Sequence, residues 1–158
     1  MKQGSTIQAS ILDRLIDSQP EISTEPVQKS TLDFEQGKKA VLRDLANLLN
    51  TKSRVEEIPS AYRQVEHSLF VYGLPDFTSL NPKSKKVRQQ ILGDLEGSIA
   101  QFEPRLQNVV VQMEQTTDKS SRSLRFKITG MLVLDPLSRP IQFDTYFDVN
   151  KGQYVISE

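Results

Sequence analysis

The stretch Phe102-Glu103-Pro104-Arg105-Leu106 separates two halves of the chain that differ in hydrophobic pattern. Before it, apolar residues recur at intervals of three and four, which is the period of an α-helix, and after it they alternate, as in a β-strand. Pro104 accounts for the change, because proline lacks an N–H and disfavours the helical conformation of the residue before it. The sequence therefore predicts a helix that ends near Phe102 and a strand that starts at Leu106.

Upstream of this boundary the pattern predicts three helices. The first runs from about Leu32 to Asn50 with Arg43 and Asp44 facing water, the second from about Ser60 to Tyr72, and the third from the Asn81-Pro82 cap to Phe102. Gly73 and Pro75 are the stop signal of the second helix. The buried faces are predicted to be Phe34, Val41, Leu42, Leu45, Leu48 and Leu49, then Tyr62, Val65, Leu69 and Tyr72, then Val87, Ile91, Leu95, Ile99 and Phe102.

Downstream of the boundary the alternation predicts an antiparallel sheet with turns at 116–121, 135–140 and 150–152. The fold class that follows is α+β, with about three helices followed by an antiparallel β-meander and the helices packed on one sheet face. Pairing the apolar faces of the two long strands places Lys127 opposite Asp148 and Ile128 opposite Phe147. Gly130 in mid-strand predicts a bulge or a close backbone approach.

The first 31 residues are predicted to form an arm, and residues 32–158 a single α+β domain. Within the arm, Ser10 can cap a short amphipathic helix, and residues 18–31 resemble a linker. One face of that helix carries Ile11, Leu12, Leu15 and Ile16. A helix of two turns is not stable alone in water, so it must dock on its own domain or on another protein.

Composition excludes several function classes. Twenty basic and 20 acidic residues give a formal net charge of zero, which argues against nucleic-acid binding. The absence of cysteine and the single histidine exclude disulfides, thiolate zinc sites and histidine-rich metal sites, so we expect no cofactor. No apolar run approaches the ~20 residues of a membrane span and no signal peptide is recognisable, so we expect a cytoplasmic protein without direct membrane insertion.

Six segments together carry a resemblance to a known family. The sequence resembles the TssE family of type VI secretion baseplate subunits and, through it, the baseplate-wedge proteins of contractile phage tails once labelled lysozyme-like. The segments are Ser10-Ile11-Leu12-Asp13-Arg14-Leu15, Asp44-Leu45-Ala46-Asn47-Leu48-Leu49-Asn50-Thr51, Tyr72-Gly73-Leu74-Pro75-Asp76-Phe77-Thr78, Phe102-Glu103-Pro104-Arg105-Leu106, Leu124-Arg125-Phe126 and Phe143-Asp144-Thr145.

The resemblance implies a structural part of a contractile machine. Its partners would be other wedge subunits and the first sheath ring, in a baseplate held at the inner face of the cytoplasmic membrane by other subunits. It also implies that Glu103, Pro104 and Arg105 bind the wedge, and we expect Glu103 and Arg105 to project from an exposed junction.

A strand-addition edge for the sheath is predicted on the first long strand, which carries no charge and no proline between Arg105 and Glu114. The edge residues are Asn108, Val109, Val110, Val111, Gln112 and Met113. The C-terminal strand around Val155 is the second candidate edge, because the sequence does not determine strand order.

Two alternatives remain open at this stage. A soluble regulatory adaptor could use the same fold. A peptidoglycan-cleaving enzyme would need two carboxyl groups about 5–9.5 Å apart, whereas Asp144 and Asp148 on one strand face would be roughly 13 Å apart. We therefore do not expect catalytic residues.

Overall fold

The computed structural model describes residues 7–8, 10–15, 21, 31–32, 34–53, 58, 61–77, 80, 84–114, 124–135, 137–148 and 151–157. The helices are α1 (Ile11–Leu15), α2 (Phe34–Asn50), α3 (Arg63–Glu66) and α4 (Lys85–Phe102). The strands are β1 (Ile7–Gln8), β2 (Thr31–Leu32), β3 (Leu106–Glu114), β4 (Leu124–Leu134), β5 (Leu137–Asp148) and β6 (Gln153–Ser157).

The main sheet is the predicted antiparallel meander, in the order β3-β4-β5-β6, so β3 and β6 are its two edges. The helices α2 and α4 pack on one face of it, which confirms the α+β fold. Their large buried apolar residues are Val41, Leu45, Leu48 and Leu49 on α2 and Ile91, Leu95 and Ile99 on α4. The short strands β1 and β2 form a separate antiparallel pair, which the hydrophobic pattern did not predict.

The predicted start of α4 is only partly described. Its first residue is Lys85 and Ser84 is the N-cap, without a side-chain capping bond. Asn81 and Pro82, which were predicted to open the helix, lie outside the described residues, as does most of the predicted linker.

The predicted continuous helix from Ser60 to Tyr72 is wrong. The segment forms the short α3 and then a separate 3₁₀ turn at Leu69–Val71. Ser68 breaks it, because its hydroxyl donates to Val65 O and accepts from Phe70 N, a local bond that competes with helix continuation. Leu69 was predicted to be buried, but it is 81% exposed.

The predicted register of the long hairpin is also wrong, by four residues. Lys127 lies opposite Asp144 and Ile128 opposite Phe143, because Leu134 pairs with Leu137 and leaves a two-residue connection. Pro140 can enter β5 because β6 pairs only with 144–148, which leaves this part of β5 without a second neighbour in the sheet. An even shift keeps every side chain on its predicted face.

The close approach predicted at Gly130 is confirmed. The register of β3 shifts between Gln107 and Val110, and Asn108 there has a positive φ of 52°. A Cβ on Gly130 would lie 3.0 Å from Gln107 O. Glycine therefore lets β4 pass close to the bulged part of β3.

Candidate functional site

The segment around Pro104 is anchored at both ends. The Glu103 N–H donates to Ile99 O at 2.9 Å and so closes α4, while Arg105 O accepts from Val133 N at 2.8 Å on the sheet. Leu106 N donates to Glu103 O at 3.0 Å across the proline turn. The end of α4 and the start of β3 thus hold the side chains of Glu103 and Arg105 in defined directions.

Glu103 is buried, which corrects the expectation of an exposed junction. Its side chain is 3% exposed, and both carboxylate oxygens accept from Arg105, at 2.6 Å from Nε and 2.6 Å from Nη2. This two-pronged geometry is the strong form of the arginine–carboxylate bond. Glu103 therefore holds Arg105 within the chain and is itself almost inaccessible to a partner.

The pair continues into a longer chain of charges. Arg105 Nη2 also donates to Asp44 Oδ2 at 2.7 Å. The other oxygen of Asp44 accepts from Arg43 Nε and Nη2 at 2.9 and 2.7 Å, and Arg43 Nη2 donates to Asp13 Oδ1 at 2.8 Å. We call Asp13, Arg43, Asp44, Glu103 and Arg105 the charge cluster. Arg43 and Asp44 were predicted to face water, but both are partly covered in this cluster.

The pKa shifts of Asp13, Arg43 and Arg105 all favour the charged forms of these three side chains. The bond with Glu103 raises the pKa of Arg105 further above its usual range, and partial burial opposes this only in part. Burial alone would raise the pKa of Asp13, but hydrogen bonds from Ser10 and Arg43 outweigh it and lower the pKa. Burial would likewise lower the pKa of Arg43, but its hydrogen bonds to Asp44 and Asp13 outweigh burial and raise the pKa.

Tyr72 lies beside the charge cluster. Its ring meets Phe102 edge to face with centroids 5.2 Å apart. Its pKa is raised, first by burial and then by the negative charges of Asp44 and Glu103. Four of the segments that carry the family resemblance therefore meet at one place, through Asp13, Asp44, Tyr72 and the Glu103–Arg105 pair.

The helix α1 meets the domain with its polar side. Ser10 accepts from Asp13 N at 3.1 Å and so caps the helix as predicted. Asp13, with a side chain 7% exposed, lies against Arg43, whereas Ile11, Leu12 and Leu15 are 77%, 54% and 75% exposed. The fourth predicted apolar residue, Ile16, lies outside the described residues.

Both edges of the sheet receive a side chain from a helix. On β3 the Val111 N–H donates to Glu96 Oε1 at 2.7 Å. On β6 the Asn50 amide pairs with both backbone groups of Tyr154, accepting from N at 2.9 Å and donating to O at 3.0 Å. The segment Asn108 to Met113 therefore lies on an edge strand of the sheet, as predicted. It has a bulge at one end, and Val110 is 46% exposed.

Metal and membrane chemistry gain no support. Among the residues that the structure describes, no group of three or more His, Cys, Asp or Glu side chains could hold a metal ion. No helix formed by the described residues is both long and apolar enough to cross a membrane.

The sequence singled out Glu103 and Arg105 as exposed wedge-binding residues, but it predicted neither their bond to each other nor their partners within the chain. Asp13 and Asp44 lie within two of the segments quoted for the resemblance, which was the available signal. Arg105 and Asp44 are 61 positions apart, and pairing between isolated charges at that separation leaves no periodic pattern. Glu96 and Asn50 were missed for the same reason.

The chain is similar to proteins of known family and structure. Residues 35–137 match the family model described as "Baseplate wedge protein gp25". No curated protein matches the chain at a significant level. Among solved structures, the chain is similar to one described as "The baseplate complex from the type VI secretion system", with 21% identity over 71% of this chain and 94% of that chain and a TM-score of 0.49.

Proposed function

Because this chain belongs to the gp25 family of baseplate wedge proteins, we propose that it joins the wedge of a type VI secretion baseplate to the first ring of the sheath. The observation that carries the proposal is the family match, which spans more than half of the chain and includes Arg43, Asp44, Glu103 and Arg105. The type VI assignment rests on the sequence resemblance described above. The role is structural, as in the family.

The proposed wedge-binding surface combines α1 with the accessible part of the charge cluster. Since Glu103 is buried, its role is to orient Arg105, whose side chain is 26% exposed. Arg105 already binds two carboxylates, so the surface gains its affinity chiefly from apolar contact. The exposed Ile11, Leu12 and Leu15 supply such contacts, because an amphipathic helix can lay its apolar face into a hydrophobic groove of a partner.

A pull-down with co-expressed wedge subunits tests this surface. We expect the double variant Ile11→Ser/Leu15→Ser to lose at least about tenfold in wedge affinity, equal to ~1.4 kcal/mol. Its stability should change by less than about 0.5 kcal/mol, because both side chains are exposed.

The matched control is Leu69→Ser/Phe70→Ser, which removes two apolar side chains that are 81% and 68% exposed on the 3₁₀ turn. We expect it to bind wedge subunits normally. Equal binding by the α1 variant and the parent protein would contradict the assignment of α1.

For the sheath, we propose that an extended arm of a sheath subunit adds as a strand to β3. This edge is supported by its β-branched composition and by its position at the end of the sheet. Since Val111 N–H points away from β4, toward Glu96, the alternation of an antiparallel strand also directs the Met113 backbone groups outward. The added strand would displace Glu96 and pair with these groups.

Two proline variants distinguish the edges. Met113→Pro removes an outward N–H of β3, and Ile156→Pro removes the corresponding group of β6, which follows Tyr154 by two residues. We expect Met113→Pro to abolish sheath assembly in a reconstituted system and Ile156→Pro to permit it. Circular dichroism checks that both are folded. Sheath of normal length with folded Met113→Pro would exclude β3 as the docking edge.

A further inference from the structure

The charge cluster connects α1 to the anchored segment at Pro104. We infer that Arg43 and Asp44 are positioning residues that couple α1 to the Glu103–Arg105 pair, so that α1 is held in place only while the chain of ion pairs is complete. The inference deepens the proposed function and rests on it for the biological role of α1.

The helix α1 depends on this attachment because the described residues give it little other support, apart from the two-residue pairing of the preceding β1 with β2. Its five residues are far fewer than the roughly 12–15 that an isolated helix needs in water. Ile11 and Leu15 are largely exposed, so they contribute little burial energy. The buried carboxylate of Asp13 ties the helix to Arg43.

Arg43 in turn depends on Asp44 for its direction. Adjacent positions on a helix do not normally face each other, so a bond between residues 43 and 44 needs outside support. Asp44 receives that support from Arg105, which binds its second oxygen at 2.7 Å. Arg105 is itself fixed by the two bonds to Glu103. The buried Glu103 carboxylate therefore orients Arg105, and each residue along the chain of ion pairs orients the next, as far as α1.

The two ends of the chain of ion pairs also interact directly. The positive charge of Arg105 contributes to the lowered pKa of Asp13, although the two side chains share no hydrogen bond in the described contacts. A change at Arg105 should thus be felt at α1 through both the bonded chain and the field.

The absence of cysteine allows a site-specific test on the isolated full chain. Ile11→Cys gives a single attachment point for a fluorophore, and time-resolved anisotropy reports whether α1 rotates with the domain. We expect the label to rotate slowly with the protein. Asp44→Asn and Arg105→Lys should each remove the slow component of the anisotropy decay, to the level seen in Asp13→Asn. We expect this even though neither Asp44 nor Arg105 has a described bond to α1. Asp44→Glu should restore part of it.

Lys52→Gln is the matched control, because it breaks the exposed Lys52–Asp76 ion pair elsewhere on the domain and should leave the label slow. Thermal melts show whether each variant is folded at the temperature used, and if Asp44→Asn is not, Arg105→Lys carries the test. Slow rotation of the label in Asp13→Asn would overturn the inference. So would fast rotation in Asp13→Asn together with slow rotation in Asp44→Asn and Arg105→Lys. Because no partner is present, a failed wedge pull-down would contradict the proposed function without altering this result.

Discussion

Arg105→Ala is expected to lower the free energy of unfolding by about 3 kcal/mol or more, the usual cost of removing one partner from a buried ion pair. The substitution removes both side-chain bonds to the Glu103 carboxylate, which is 3% exposed, and leaves it only the 3.3 Å bond from the backbone N–H of residue 105 among the described contacts. Urea denaturation followed by circular dichroism at neutral pH measures the change. The exposed junction predicted from the sequence would have implied under ~1 kcal/mol.

Two further variants separate the buried pair from an ordinary surface ion pair. Lys52→Ala removes one member of the pair with Asp76, whose side chains are 57% and 49% exposed, and should cost less than about 1 kcal/mol. Adding Glu103→Gln to Arg105→Ala removes the unpaired charge and should recover part of the loss. If Arg105→Ala cost no more than Lys52→Ala, the buried pair would not be the anchor described above.

Gly73→Ala is expected to destabilise the domain by at least about 3 kcal/mol, at the upper end of the cost of a strained backbone position. Gly73 has a φ of +112°, and a Cβ there would lie 2.5 Å from Thr51 O. The same backbone approach carries two hydrogen bonds of 2.8 Å, from Leu74 N to Thr51 O and from Ser53 N to Leu74 O. These bonds fasten the segment that bears Tyr72 to the end of α2. A thermal or urea melt measures the loss.

Gly93→Ala is the control for this prediction. Gly93 lies in α4, and outside its own stretch of helix no heavy atom of the described residues would come within 4 Å of its added Cβ. We expect a gain of about 0.5–1 kcal/mol, since alanine is the better helix former. A Gly73→Ala protein as stable as the parent would show that the loop can relax away from Thr51.

Sequence alone determined the elements whose pattern repeats. The four-residue spacing of Ile91, Leu95 and Ile99 predicted the buried face of α4, and alternation predicted the buried residues of β4, including Phe126 and Ile128. Both predictions succeed because one face of the helix and one face of the strand must pack on the core. An apolar residue therefore recurs at every turn of the helix and at every second residue of the strand. The α+β meander followed from the order of these elements, and the baseplate family from motifs along the chain.

Two predictions from periodicity were wrong because local interactions decided the structure: the second helix and the register of the long hairpin. Tyr62 and Leu69 have helical spacing, but the Ser68 hydroxyl satisfies backbone groups on both sides and ends α3. In the long hairpin, apolar alternation is unchanged by a shift of four residues, so only the short connection between Leu134 and Leu137 selects the register.

Only the tertiary structure decided what the charged residues do. The sequence places Asp13, the neighbours Arg43 and Asp44, and Arg105 in three separate segments, and any of these charges could equally be solvated. Packing of α4 against α2 brings Arg105 to Asp44 and leaves Glu103 buried. The position of α1 beside α2 brings Asp13 to Arg43. Ion pairs depend on distance in space and on burial, neither of which a single sequence records, whereas hydrophobic burial leaves a periodic record along the chain.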